Sequence, residues 1–148
     1  RKNGEYWITD ERDKMETGDI VRLLRQTYWA ADWPEEKIRQ AMEHSLCFGL
    51  FHRNALVGFA RAVTDTATIA WLCDVAIDPA HRGQGLGKWL FETLLEHPSI
   101  APTRWILATR DAQGLYKRYG FRPVTGDYFL ARGFQWIPEA APQTEPQE

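Results

Sequence analysis

The chain reads as a mixed α/β protein, and three stretches carry that reading. Residues 46–77 hold strand-like apolar runs joined by short polar turns, the pattern of an antiparallel meander. Residues 75–96 pass from such a strand through a glycine-rich loop into an amphipathic helix. Residues 104–119 follow with a short apolar strand and a short helix.

Each element has its own signal. Residues 5–9 are the expected first strand. Thr17 or Asp19 then caps a helix whose positions Ile20, Leu23, Leu24, Thr27 and Tyr28 fall at helical spacing. Asp32, with Glu35 three residues on, gives a capping-box start for a second helix reaching about Ser45, and residues 29–33 connect the two. Strands at 46–51 and 56–63 flank a turn at Arg53 and Asn54, and Thr64 and Asp65 lead into a longer strand at 68–77. The helix at 85–96 is stopped by His97 and Pro98. Its apolar face carries Leu86, Trp89, Leu90, Thr93 and Leu94, with Lys88, Glu92 and Glu96 opposite. A strand at 104–108, a helix at 112–119 and two short strands within 121–130 complete a domain expected to span residues 1–137. Residues 138–148 hold three prolines, three glutamates and two glutamines with almost nothing apolar, so a disordered tail is expected there.

Composition narrows the class. A chain of 148 residues is one domain by size and buries roughly 70% of its unfolded surface. With 44% hydrophobic and 26% charged residues it is ordinary for a soluble protein, and no apolar run nears the ~18 residues that span a bilayer. No basic segment precedes an apolar stretch at the start, so no signal peptide and a cytoplasmic location are expected. Eighteen lysines and arginines against twenty acidic residues leave a net charge of -2, which argues against nucleic acid as a partner. Seven tryptophans are expected mostly in the core. Cys47 and Cys73 lie in apolar strands and are expected as reduced, buried thiols. His44, His52, His81 and His97 show no metal-ligand spacing, so no metal is expected.

The glycine loop carries the functional signal. Gly83, Gly85 and Gly87 alternate just ahead of a helix, whose unpaired N–H groups and positive dipole end suit an anion. A Walker A loop requires Ser or Thr after Gly87-Lys88, where Trp89 stands, and a glycine where Arg82 stands. A dinucleotide fingerprint counted from Gly83 and Gly85 places Lys88 in its third glycine position. What remains is Arg82-x-x-Gly85-x-Gly87. A second block, Ala-Gln-Gly-Leu-Tyr-Lys-Arg-Tyr-Gly-Phe at 112–121, follows about thirty residues later.

These blocks resemble the two signatures of the GCN5-related N-acetyltransferase superfamily, Arg/Gln-x-x-Gly-x-Gly/Ala and Ala-x-x-Leu-Tyr-x-x-x-Gly-Phe, in order and separation. The resemblance implies a mostly antiparallel central sheet, splayed at the cofactor site and flanked by helices, with acetyl-CoA as acyl donor. It implies that Arg82, Gly83, Gln84, Gly85, Leu86, Gly87 and Lys88 hold the pyrophosphate, and that backbone at Val75 and Ile77 grips the pantetheine arm and the thioester carbonyl. Thr109 stands where many members have asparagine, and it offers a hydroxyl to the pantetheine amides. Tyr116 takes the place of the general acid that protonates the leaving thiolate. The helical pair would flank the acceptor, with Tyr28, Trp29, Trp33, Phe59, Arg61, Asp74 and Arg110 as contacts.

The chemistry fits those roles. A thiolate of ordinary pKa about 8.5 suits a phenol of about 10 as proton donor, and an alkyl ammonium of about 10.4 is neutral in only about one molecule in 2,500 at pH 7. A base is therefore useful. Asp74, alone in an apolar strand, is either that base or a buried partner of an arginine. The expected activity is transfer of an acetyl group to a primary amine, by direct attack in a ternary complex, on a small molecule in preference to a protein. The alternatives are a noncatalytic acyl-CoA sensor and a transferase for a longer acyl group. Exposed tryptophans such as Trp136 suggest a possible homodimer.

Overall fold

The computed structural model describes residues 2–134, in two compact units divided between Ala108 and Thr109. The first is a six-stranded open sheet in simple order, β1 (Lys2–Asn3), β2 (Tyr6–Thr9), β3 (Leu46–His52), β4 (Ala55–Thr64), β5 (Ile69–Ile77) and β6 (Arg104–Leu107). Every neighbouring pair is antiparallel except β5 with β6. Those two are joined through α3 (Leu86–Leu95), and a crossover of that length is what parallel pairing requires. The expected meander and mixed sheet are what the chain forms.

The helices α1 (Thr17–Leu24) and α2 (Glu35–Glu43) both begin and end away from the expected caps. Glu16, with no side-chain cap, precedes α1, because the Thr17 hydroxyl is engaged by Arg12 Nη2 at 3.2 Å. The helix stops at Leu24, where Thr27 Oγ1 donates to the Leu24 carbonyl at 2.7 Å and turns the chain. Asp32 is not a cap; Pro34 takes that place, its fixed φ of -59° leading into the first turn of α2. Ser45 lies beyond α2 and donates to the Ala41 carbonyl at 2.7 Å.

Ile20, Leu23 and Leu24 of α1 and Ile38 and Met42 of α2 pack with Met15, Cys47, Phe51, Leu56, Phe59 and Ala76 into one apolar cluster. On α3 the buried residues are Leu86, Leu90, Phe91 and Leu94; Trp89 and Thr93, expected on that face, are only half-buried. None of the six described tryptophans is fully buried. Trp7, Trp29 and Trp33 lie against the cluster, and an indole N–H that must find an acceptor keeps such a ring at the core's margin. Trp7 Nε1 donates to the Arg53 carbonyl at 2.7 Å.

The second unit contains α4 (Gln113–Lys117), shorter than expected, and no strand among its described residues. The two strands expected within 121–130 do not form: Pro123 has no N–H for a ladder, and Tyr128 and Leu130 stay exposed. The tail at 138–148 and Trp136 lie outside the described residues. No described helix is long and apolar enough to cross a membrane.

Gly58 opposes Ile77 at the end of β5, and a Cβ placed there would lie 2.9 Å from Ile77 Cδ1 and from Leu50 Cβ. Gly58→Ala is expected to destabilise the protein by about 1–3 kcal/mol through overpacking, read as a lower urea midpoint at unchanged slope.

Candidate functional site

The site begins where β5 ends. Asp78 donates its N–H to the Val57 carbonyl at 2.7 Å and accepts the Ala80 N–H on its side chain at 2.9 Å, opening a 3-10 turn at Pro79–His81. The chain then passes through Gly83 at φ 81° and Gly85 at φ 75° into α3. These dihedrals are what calls for glycine at both positions, since a Cβ there would meet nothing within 4 Å. At Gly87 a Cβ would sit in ordinary contact, 3.7 Å from Ile77 Cγ1. The first helical bond runs from the Trp89 N–H to the Gly85 carbonyl at 3.0 Å. The N–H groups of Gly83, Gln84, Gly85, Leu86, Gly87 and Lys88 therefore have no acceptor among the described residues, and at Gly83 and Gly85 the space where a Cβ would stand is open. That arrangement fits a pyrophosphate.

The loop side chains are exposed except Leu86, which is buried. Arg82 Nε donates to the Ile77 carbonyl at 3.1 Å, so Arg82 braces the loop while its guanidinium tip stays near the surface. Gln84 Nε2 donates to the His81 carbonyl at 3.4 Å, and Lys88 Nζ lies 3.9 Å from Glu92 Oε1.

Parallel pairing of β5 with β6 covers Ile69 to Leu72 only. On that side the backbone from Cys73 to Ile77 has no strand partner among the described residues, while its other side stays paired to β4. Val75 and Ile77 thus sit on a freed sheet edge that runs into the glycine loop. An edge of this kind presents N–H and C=O groups to any extended, amide-bearing chain laid beside it.

Asp74 is an arginine partner. It is 1% exposed; Oδ2 accepts from Arg61 Nε at 2.7 Å and Oδ1 from Trp29 Nε1 at 2.8 Å. Burial alone would lower the Arg61 pKa, but the charge and hydrogen bond of Asp74 outweigh it and the net shift is upward. Each oxygen thus accepts one bond, and the carboxylate lies out of contact with solvent. Arg61 is likewise held, donating to Ser45 Oγ at 3.1 Å. Phe59 is fully buried in the apolar cluster and touches no solvent, so it packs the core in place of meeting an acceptor. Trp33 is half-buried, with Lys37 Nζ 4.8 Å above its ring, and it edges a crevice against Arg61 and Asp74 too tight to admit water. Tyr28 is 55% exposed.

Thr109, Arg110 and Tyr116 belong to the second unit. Thr109 Oγ1 accepts the Ala112 N–H at 3.1 Å, ahead of α4, and Gln113 Nε2 donates to the carbonyls of Thr109 and Arg110. Tyr116 packs edge-on to Phe121 at 5.9 Å, and the Phe121 N–H returns to the Tyr116 carbonyl at 3.3 Å. Burial first, and then the Asp111 charge, push the Tyr116 pKa above its ordinary value, so the phenol keeps its proton.

Residues 43–123 match the family model of the acetyltransferase (GNAT) domain, which is more than half of the chain. The chain belongs to the GNAT acetyltransferase family. A crystal structure of a GNAT-family protein from Xanthomonas campestris pv. campestris is similar at 40% identity and a TM-score of 0.76, over 84% of this chain and 93% of that one. The uncharacterized N-acetyltransferase ycf52 of Porphyra purpurea is 33% identical over 85% of this chain and 82% of its own length. The histone acetyltransferase TAP1 of Glycine max is 35% identical over 90% of this chain and 62% of its own.

Within this GNAT fold one brace escapes sequence reasoning. Tyr6 Oη and His81 Nδ1 lie 2.8 Å apart, tying the lead-in of the glycine loop to β2, and His52 lies against both rings. The partners are 75 residues apart in sequence, and only the fold brings them together. Neither thiol is activated. Burial pushes the Cys47 thiol up to about 11 and raises Cys73 as well. Among the described residues no group of three or more His, Cys, Asp or Glu is placed to hold a metal.

Two outcomes follow from these contacts. Asp74→Ala strands the Arg61 charge in the interior, and by denaturant titration it is expected to cost about 3–5 kcal/mol. A raised pKa means little thiolate at neutral pH, so Cys47 is expected to resist a chromogenic disulfide reagent at pH 7 until the protein is unfolded.

Proposed function

We propose that this chain is an N-acetyltransferase that moves an acetyl group from acetyl-CoA to a primary amine, by direct attack in a ternary complex, with a small-molecule acceptor. The observation that carries the reading is the run of six unpaired N–H groups at Gly83 to Lys88, entered directly from a sheet edge that has lost its partner strand. In this reading the loop amides, with Arg82 and Lys88, hold the pyrophosphate, and glycine supplies the positive φ that the loop takes at residues 83 and 85. The freed edge at Val75 and Ile77 takes the pantetheine amides, and a backbone N–H there polarises the thioester carbonyl, where negative charge grows during attack.

The amine nitrogen bonds to the thioester carbon, the carbon–sulfur bond breaks, and Tyr116 Oη hands its proton to the departing sulfur. A phenol held protonated by burial is suited to that step. Removing the amine's proton at pH 7 costs about 4.6 kcal/mol at its ordinary pKa. With both Asp74 oxygens occupied, we assign that proton to water.

The test mixes acetyl-CoA with spermidine, lysine, tyramine and a histone-tail peptide, and follows free thiol. The peptide is included because one relative is named a histone acetyltransferase. Turnover of a small amine is expected; tight CoA binding with no turnover of any acceptor would make the protein a sensor. Tyr116→Phe is expected to lower kcat about 100-fold while leaving the acetyl-CoA KM unchanged, and unaltered turnover removes the acid role.

A further inference from the structure

Between α1 and α2 the chain forms a connection that is braced within itself. Arg25 Nη1 donates to the carbonyls of Ala31 at 3.0 Å and Trp33 at 2.6 Å, Thr27 Oγ1 accepts the Ala30 N–H at 3.2 Å, and the Trp33 N–H returns to the Ala30 carbonyl at 3.2 Å. These bonds fix the shape of the connection from within. Trp29 joins it to the sheet through the 2.8 Å bond from Nε1 to Asp74 Oδ1. The other oxygen of that carboxylate is fixed by Arg61, which is fixed in turn by Ser45, whose hydroxyl donates to the Ala41 carbonyl near the end of α2. The chain of bonds therefore links the connection, β5, β4 and α2. Tyr28 stands edge-on to Trp29, ring centroids 5.0 Å apart at 83°, so the tilt of the indole sets where that exposed ring lies. Asp74 directly precedes Val75 on the freed edge of β5.

We propose that Asp74 is a positioning residue which, by holding the Trp29 indole, sets the Tyr28–Trp29 wall met by the acceptor amine. This role rests on the N-acetyltransferase reading, with the acyl end of the donor beside Val75. An indole N–H to a buried carboxylate is a charge-assisted bond, and such a bond is worth having where the position of a ring must be kept. The aromatic wall contributes no charge of its own, so it selects the acceptor by the shape of the carbon skeleton next to its amine.

Trp29→Phe keeps most of the ring and removes the donor. With the amine that the wild-type protein turns over fastest among spermidine, lysine and tyramine, the acceptor KM is expected to rise about tenfold, because a wall no longer held in place must be ordered when the acceptor binds. The kcat is expected to stay within about twofold and the acetyl-CoA KM to be unchanged. Asp74→Asn leaves an oxygen for the indole, so its acceptor KM should move less than that of Trp29→Phe even though its melting temperature falls further. A drop in kcat with loss of the alkaline-rising limb in Asp74→Asn, and an unmoved acceptor KM in Trp29→Phe, would overturn the proposal and restore Asp74 as a base. Amide hydrogen exchange separates this inference from the function on which it rests. If no amine is turned over by the wild type, faster exchange confined to residues 27–33 in Trp29→Phe still supports the anchoring, and unchanged exchange there refutes it.

Discussion

Everything that makes this sheet more than a scaffold depends on where parallel pairing stops. β5 and β6 hold one another from Ile69 to Leu72, and β5 then continues five residues alone on that side. Backbone polar groups seek partners, and an unpartnered edge in the middle of a sheet is a place for a ligand chain to complete the ladder. The glycine loop follows that edge: two positive-φ glycines turn the chain into the N-terminal, dipole-positive end of α3, where the N–H groups of residues 83–88 have no acceptor among the described residues. The freed edge and the entry to α3 thus follow one another within residues 73–88.

The other face of β5 is organised by a buried charge pair. Arg61 and Asp74 are cross-strand neighbours beside a bulge in β4 and β5, and burial makes each necessary to the other. A buried ion pair adds little net stability over an apolar packing, yet it specifies direction in a way a hydrocarbon contact does not. Here the direction is read out by Trp29, so the helical pair is tied to the sheet by a bond with defined donor and acceptor as well as by the apolar cluster around Phe59. Asp74, alone among apolar residues in its own strand, has its partner Arg61 on the neighbouring one.

What the sequence made legible was local. The strand, glycine loop and helix at 75–96 are encoded within one window, so their order was readable, as was the short helix that carries Tyr116. Cap positions slipped by one or two residues because Arg12 and Pro34 compete for the roles given to Thr17 and Asp32. The Tyr6 to His81 brace and the Arg61 to Asp74 pair join residues distant in sequence, and no spacing rule reports them. Phe59, offered to the acceptor by the resemblance, is fully buried in the apolar cluster, and no local pattern says which helix covers its face of the strand.

If the backbone of this loop is the pyrophosphate cradle, its amide chemical shifts must report CoA. On titrating 15N-labelled protein with CoA, the amides of residues 83–88 are predicted to move together and saturate, with those at 75 and 77 following as the pantetheine arm engages. Shifts that leave residues 83–88 unmoved at saturating CoA would contradict the account.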